Sequence, residues 1–289
     1  MAISISITAG PSEGASTVTA SGEVQHIITD PERNTFNIQD ASLKRAVAAY
    51  MGKSPNDAYV RSPTPWGDLY KTYNWPEVQS RFSVRSADVI GDNTVPVMLN
   101  TNTFKNNSSV PAEFNCGITQ NVSVTSESNW SDTSSVEVGQ SIDYSIGFLG
   151  TGISGSTSLN YTQAWQKGGS QSETVELGSS AGVNTTLQPG QAVKATLSAS
   201  KGKLKVKVVY QITLSGDAAV NYNPTYKGHH FYGMNINSVM NAGGLQTVIT
   251  TTETVEIEYY TDVQIVLEDL QSGKTLETFK LDVKRAVAA

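Results

Sequence analysis

At 289 residues and 30.9 kDa the chain is long enough for one large β domain or two smaller ones. Only 16% of residues are charged, and 20 basic against 26 acidic side chains give a formal charge of −6, which excludes the basic stripe of a nucleic-acid binder and a polybasic membrane anchor. One cysteine, Cys116, excludes an internal disulfide framework and a Cys-cluster zinc site, and three histidines (His26, His229, His230) leave little room for a His-rich one, so neither metal nor cofactor is expected.

No run approaches the roughly 18 apolar residues of a membrane helix. Residues 1–7 have neither a basic n-region nor a continuous apolar stretch, so no secretory signal is expected. Residues 3–8 alternate, with Ile3, Ile5 and Ile7 against serines and Thr8, and predict a half-buried strand. Gly10 to Gly22 is rich in Ser, Gly and Thr and predicts a loop with a short strand. A helix follows: Asp40 is placed as its N-cap, Leu43, Val47 and Tyr50 or Met51 share a face, and Gly52 is its stop. The segment from Ser62 to Pro76 holds three prolines and the cluster Trp66, Tyr70, Tyr73 and Trp75. Exposed aromatics stack on sugars and lipid headgroups, so this cluster is a candidate receptor-binding platform; the plain alternative is a small aromatic core under a Pro-rich loop. Residues 1–95 are assigned to a head that carries it.

Composition changes after Ile90. About 30 of residues 101–200 are Ser or Thr, roughly twice the ordinary density, and no Lys or Arg occurs between Lys105 and Lys167. The stretch keeps its β-branched residues, unlike a disordered linker. Two long alternating strands stand in the C-terminal third. Leu204, Val206, Val208, Tyr210, Ile212 and Leu214 oppose Lys203, Lys205 and Lys207, and Val255, Ile257 and Tyr259 oppose Glu256 and Glu258. Strands this long predict an elongated, mainly β body over residues 96–289. Cys116 is expected to be a small buried apolar residue. His229 and His230, adjacent on a strand, point to opposite faces and make no shared metal site.

Residues 136–161 carry the functional argument. Val136, Val138, Ile142, Tyr144, Ile146 and Phe148 alternate with Glu137, Ser141, Asp143, Ser145 and Gly147. A Gly-rich turn with apolar shoulders, Phe148, Leu149 and Ile153, interrupts the pattern. It resumes in the other parity, with Leu159 and Tyr161 against Ser154, Ser156, Ser158 and Asn160. This is a two-faced hairpin. It fits a β-sandwich hairpin, or one that later lines a transmembrane barrel, whose strands need roughly 9–11 residues, apolar outward and polar inward. The small polar face, the absence of Lys and Arg and the apolar turn favour the barrel. About nine apolar side chains entering lipid offer roughly 15–25 kcal/mol gross. A lone hairpin cannot collect this, because its open edges leave backbone groups unpaired in hydrocarbon. Only a closed ring of hairpins from several chains removes the edges, and in water the chain's own body must cover the apolar face. Glu137 and Asp143, with no basic residue on the polar face, predict a cation-preferring pore.

The run Thr119 to Trp130, the hairpin, Leu187 to Gly190, the Lys203–Leu214 strand and above all Val220 to Phe231 together resemble the aerolysin-like β-pore-forming proteins of the epsilon-toxin/mosquitocidal-toxin type. Within that group they look closest to spherulin-like and follicular-epithelium-yolk-protein-like members. The resemblance spans residues 40–265 and implies an elongated aerolysin-like fold with a small head containing one α-helix. It also implies a function: binding a target cell membrane through a surface receptor (glycan or protein), assembly with copies of itself into a ring, and insertion of one hairpin per chain. Such a protein is soluble and acts extracellularly; Lys284-Arg285 is a candidate processing site. The alternatives on the same scaffold are a non-lytic storage or developmental protein and a lectin-like binding module. With no Walker loop, no G-x-S-x-G elbow and no H-E-x-x-H, no enzymatic activity is expected.

Overall fold

The structure, a computed structural model, describes residues 2–10, 12, 14–131, 141–148, 157–165, 167–281 and 284–285. The chain opens with strands β1 (Ile3–Ala9), β2 (Thr17–Ser21) and β3 (Glu23–Ile27), then α1 (Asp30–Thr35), α2 (Asp40–Met51), β4 (Asp57–Tyr59) and α3 (Pro65–Tyr73). Eight strands follow: β5 (Gln79–Lys105), β6 (Ala112–Asn115), β7 (Ile118–Trp130), β8 (Ser141–Phe148), β9 (Thr157–Ala164), β10 (Gly169–Ser179), β11 (Asn184–Leu187) and β12 (Ala192–Ser215). The last elements are β13 (Asp217–Tyr226), β14 (His229–Asn235), α4 (Ile236–Ala242), β15 (Val248–Asp269), β16 (Thr275–Lys280) and β17 (Lys284–Arg285).

The body is an antiparallel sheet in the order β17-β10-β7-β15-β12-β5-β3, with β16 also on β15. Its three central strands, β5, β12 and β15, run 27, 24 and 22 residues, each on the order of 70–90 Å at ~3.3 Å per residue. Strict alternation runs through two of them, β12 and β15. Leu204, Val206, Val208, Tyr210 and Ile212 of β12 and Val255, Ile257 and Tyr259 of β15 are buried on one face. On the other face Lys201 pairs with Glu258 (3.0 Å) and Lys205 with Glu256 (2.6 Å). These exposed pairs contribute at most about 1 kcal/mol each. Their stronger effect is on register, since a one-residue slip would send lysines into the core. Register shifts at 197/198, 205/206 and 209/210 between β12 and β5 add local twist.

The predicted helix at 40–51 is α2, and Gly52 ends it at φ 89° with its N–H on the Ala48 carbonyl. Its N-cap is Gln39 rather than Asp40, whose carboxylate instead takes Arg33 at 2.7 Å. Among the described residues three further helices join it. α1 is nucleated by a capping box in which Thr29 and Glu32 satisfy each other's backbone N–H groups. The boundary read near residue 95 falls inside β5, which runs unbroken through it. The head is discontinuous: β13 pairs β4 on one side and β14 on the other, and α4 packs on α2. Cys116 is a buried free thiol. No described helix is long and apolar enough to cross a membrane, which says nothing of strands.

A second sheet, in the order β2-β1-β8-β9, lies on the buried face of the body sheet. The strand predicted at residues 3–8 is β1, and it pairs in parallel with β8, Ile3 opposite Ile142 through Ala9 opposite Phe148. Gly202 of β12 is needed where the two sheets meet. A Cβ there would sit 2.3 Å from the Tyr259 ring, whose hydroxyl donates to the Gly10 carbonyl at 3.0 Å. Gly202→Ala is therefore expected to lower the unfolding free energy by about 1–3 kcal/mol. A denaturation midpoint equal to that of the parent chain would refute this close contact.

Candidate insertion hairpin and aromatic face

β8 and β9 form the hairpin that the alternation predicts, with Tyr144 opposite Tyr161 and Ile146 opposite Leu159. Ile142, Tyr144, Ile146, Phe148 and Leu159 are buried against the body, and Tyr161 is half-buried beside them. The other face is open: Asp143, Ser145 and Asn160 are exposed and Ser158 is half-buried. Thr162 donates to the Asp143 carboxylate at 2.7 Å, and Asn160 to Ser158 at 3.1 Å. Val136, Glu137, Val138, Leu149, Ile153, Ser154 and Ser156 lie outside the described residues.

Aromatic and polar contacts seat the apolar face. Phe148 stacks on Tyr259 with centroids 6.0 Å apart, and Tyr144 stacks on Tyr161 at 4.7 Å. Trp165, just beyond β9, sits among Phe82, Trp130 and Tyr210. Beneath the hairpin is Glu253 of β15, fully buried. The hydroxyls of Tyr144 and Ser128 donate to its Oε1, each at 2.5 Å, and that of Tyr210 to its Oε2 at 2.7 Å. Burial pushes the Glu253 carboxyl above the ordinary glutamate range, against the opposing pull of the three hydroxyls. The Tyr210 phenol, buried beside that carboxyl, is pushed up as well.

In the head, Trp66, Tyr73 and Trp75 come together, and the fold adds Tyr59 and Phe231. Tyr73 stacks on Trp75 (4.7 Å), and Trp66 packs on Phe231 (5.2 Å) and edge-on to Tyr59 (6.2 Å). Trp66 is 46% exposed and Tyr73 47%. Tyr70 is not part of this surface. It is 3% exposed, with its hydroxyl 2.9 Å from the Tyr59 carbonyl and 3.0 Å from that of Asp217. The reason is local: Trp66, Gly67 and Asp68 all have positive φ (62°, 76° and 67°), so the chain reverses its facing within α3. Trp66 is turned outward while Asp68, Leu69 and Tyr70 are turned in. A tryptophan at positive φ is a strained conformation that persists only when its surroundings impose it.

No family model matches the sequence. U-megalopygitoxin(8)-Mo12 of Megalopyge opercularis is 35% identical over 253 residues, which cover 88% of this chain and 87% of the relative. U-megalopygitoxin(8)-Mc8 of Megalopyge crispata is 36% identical with the same coverage. The chain belongs to the megalopygitoxin(8) family. Among solved structures it is similar to parasporin-2, a Bacillus thuringiensis toxin that recognizes cancer cells, with a TM-score of 0.59 and 17% identity over 90% of this chain and 100% of that one. It is also similar to the β-pore-forming protein Mpp75Aa1.1 of Brevibacillus laterosporus, with a TM-score of 0.50 and 13% identity over 85% and 94% of the two chains. The fold of this megalopygitoxin-family chain is thus the aerolysin-like one that the sequence resemblance implied.

Sequence reasoning missed Glu253, although its signal was present. Along β15 the odd positions Val255, Ile257 and Tyr259 face the core, and Glu253 shares their parity. A carboxylate on the apolar side of an otherwise regular strand marks a buried polar group that needs partners. Tyr59 and Phe231 carry no comparable mark, since only the pairing of distant strands brings them to the aromatic face.

Proposed function

We propose that this megalopygitoxin-family chain is a pore-forming toxin. In this reading it is soluble, acts outside the cell that makes it, binds a target cell membrane and assembles with copies of itself into a ring. Each copy contributes the β8–β9 hairpin to a transmembrane barrel, without enzymatic chemistry. The observation that carries the reading is the two-faced hairpin: its apolar side is covered by the body, its small polar side already faces water, and it belongs to a separate surface sheet. Moving it into lipid exchanges one apolar cover for another and keeps the polar side wet. The barrel geometry of alternating apolar and polar residues requires this arrangement.

The aromatic face supports receptor binding. Two large exposed rings and a strained backbone that turns one of them outward suit stacking on the apolar faces of sugars at a cell surface. Asp143 supports cation preference, because it would stand once per subunit around the lumen with no described basic residue on its face.

Purified protein is expected to release dye from target cells or liposomes. No release at any concentration, with or without protease, would leave a non-lytic binding or storage role. The hairpin itself is tested by Ser6→Cys/Ser145→Cys, which places thiols at exposed partner positions on β1 and β8, at neighbouring-strand spacing within disulfide reach. Oxidation should abolish leakage and reduction restore it; leakage indifferent to the cross-link would mean that another segment inserts. Asp143→Asn should move the reversal potential under a salt gradient toward zero, whereas an anion-selective parent pore would contradict the lumen assignment. Trp66→Ala should weaken cell binding by about 2 kcal/mol, on the order of 30-fold, and lower stability by about 1–3 kcal/mol through its lost contacts with Phe231 and Tyr59. Undiminished binding would remove the aromatic face from recognition.

A further inference from the structure

We infer that Glu253 is a latch on the resting hairpin: its carboxyl group holds Tyr144 against the body and makes release of β8–β9 depend on pH, the hairpin being held in acid and freed as pH rises. The inference rests on the hairpin reading above, and it adds what controls that hairpin.

The geometry isolates Glu253 from every element packed around it except through hydroxyls. β7 presents Ser128, β12 presents Tyr210 and β8 presents Tyr144. β9 presents Tyr161, which stacks on Tyr144 and pairs with Ser126 at 2.9 Å. Trp130 and Trp165 close the side next to Tyr210. Among the described residues no Lys, Arg or His pairs with Glu253. Of its three donors only Tyr144 lies on the segment that would move; Ser128 and Tyr210 belong to the body sheet. The hairpin's polar attachments to the body here are two phenols, Tyr144 on the Glu253 carboxyl group and Tyr161 on the Ser126 hydroxyl, and only the first engages a titratable acid.

A carboxylate buried without a cation is costly even when hydroxyls donate to it. In the docked state burial dominates and raises the proton affinity of Glu253. Lifting β8 removes Tyr144 and admits water, which returns the carboxyl toward its ordinary affinity. The docked state thus binds the proton more tightly than the open state. Its advantage is fully present below the ordinary glutamate range, near pH 4.5, and is lost as pH rises from there through the raised docked value. In the acid form the carboxyl O–H donates to one hydroxyl oxygen while the other two hydroxyls still donate to the carboxyl, so most of the network is kept without a buried charge.

The test measures opening in solution, without a membrane. Hydrogen exchange of the backbone amides of β8 and β9 is followed from about pH 4 to pH 8, corrected for the intrinsic exchange rate. The opening constant of the unaltered chain is expected to rise with pH by up to about tenfold per unit, the limit for one proton, and then to level off. Glu253→Gln keeps the shape and hydrogen-bonding capacity but cannot ionise, so its opening constant should be low and flat. Tyr144→Phe guards against a Gln variant that misfolds. It should open more readily than the parent, and the gap should widen with pH, because the lost bond is strongest to the charged form. A flat profile in the parent chain, an unchanged slope in Glu253→Gln, or a gap independent of pH in Tyr144→Phe would each overturn the latch. Dye release run in parallel separates the two readings. The predicted exchange pattern without leakage would keep the latch and defeat the pore; leakage with opening indifferent to Glu253 would do the reverse.

Discussion

The apolar face shared by β1, β8 and β9 must be out of water, and in the resting chain the buried face of β12 and β15 keeps it so. Much of the architecture serves that contact. β12 and β15 alternate strictly, so that one side of each stays apolar where the second sheet lies on it. Gly202 leaves room for the Tyr259 ring, and that ring meets Phe148 above it. Burying Ile142, Ile146, Phe148 and Leu159 contributes about 1.5–3 kcal/mol each relative to exposure. Lipid would return a comparable amount, so this contribution nearly cancels when the hairpin leaves the body for a membrane. What decides the balance is then the edges of the hairpin and its polar attachments.

The edges are treated unequally. The outer edge of β8 is occupied by β1 in parallel register, whereas among the described residues no strand pairs with the outer edge of β9. A barrel built from such hairpins sets each β8 beside the β9 of a neighbouring copy. The proposed ring therefore requires β1 to give up its place. Parallel pairing is slightly weaker per residue than antiparallel pairing, and an antiparallel neighbour can replace every backbone bond that β1 provides. In the proposed ring the N-terminal strand would be the stand-in for a neighbouring subunit, since it satisfies in the resting chain the β8 edge that the ring would satisfy in the membrane.

How much of this was legible in the sequence followed the range of the interactions. Alternation is local, so the faces of β8, β9, β12 and β15 could be read directly, and Gly52 ended α2 where its left-handed φ allows. α1 was missed although Thr29 and Glu32 spell its capping box, because six residues offer no apolar period. A head read as residues 1–95 could not anticipate β13, which completes the β4 sheet from more than 150 residues away. Tyr70 was grouped with Trp66 on composition, but the run of positive φ at 66–68 separates their directions, and no residue-type pattern announces such a run before a Trp and an Asp. The β1–β8 pairing was equally invisible, since alternation fixes which face of a strand is apolar but not which strand lies beside it.

The position of the buried charge also fits a hairpin built to move. Glu253 stands on β15, which belongs to the body sheet, and the hairpin contributes only phenols to the contact. Had the roles been exchanged, with the carboxylate on β8 and the tyrosine on β15, insertion would carry an ionisable group onto the lipid-facing side, where burying it is costly. A tyrosine tolerates both environments: its ring packs against apolar neighbours, and its hydroxyl finds a partner in the body or at the polar boundary of a bilayer. In that reading the body keeps the ionisable acid, and a hairpin that lets go of it carries only a phenol away.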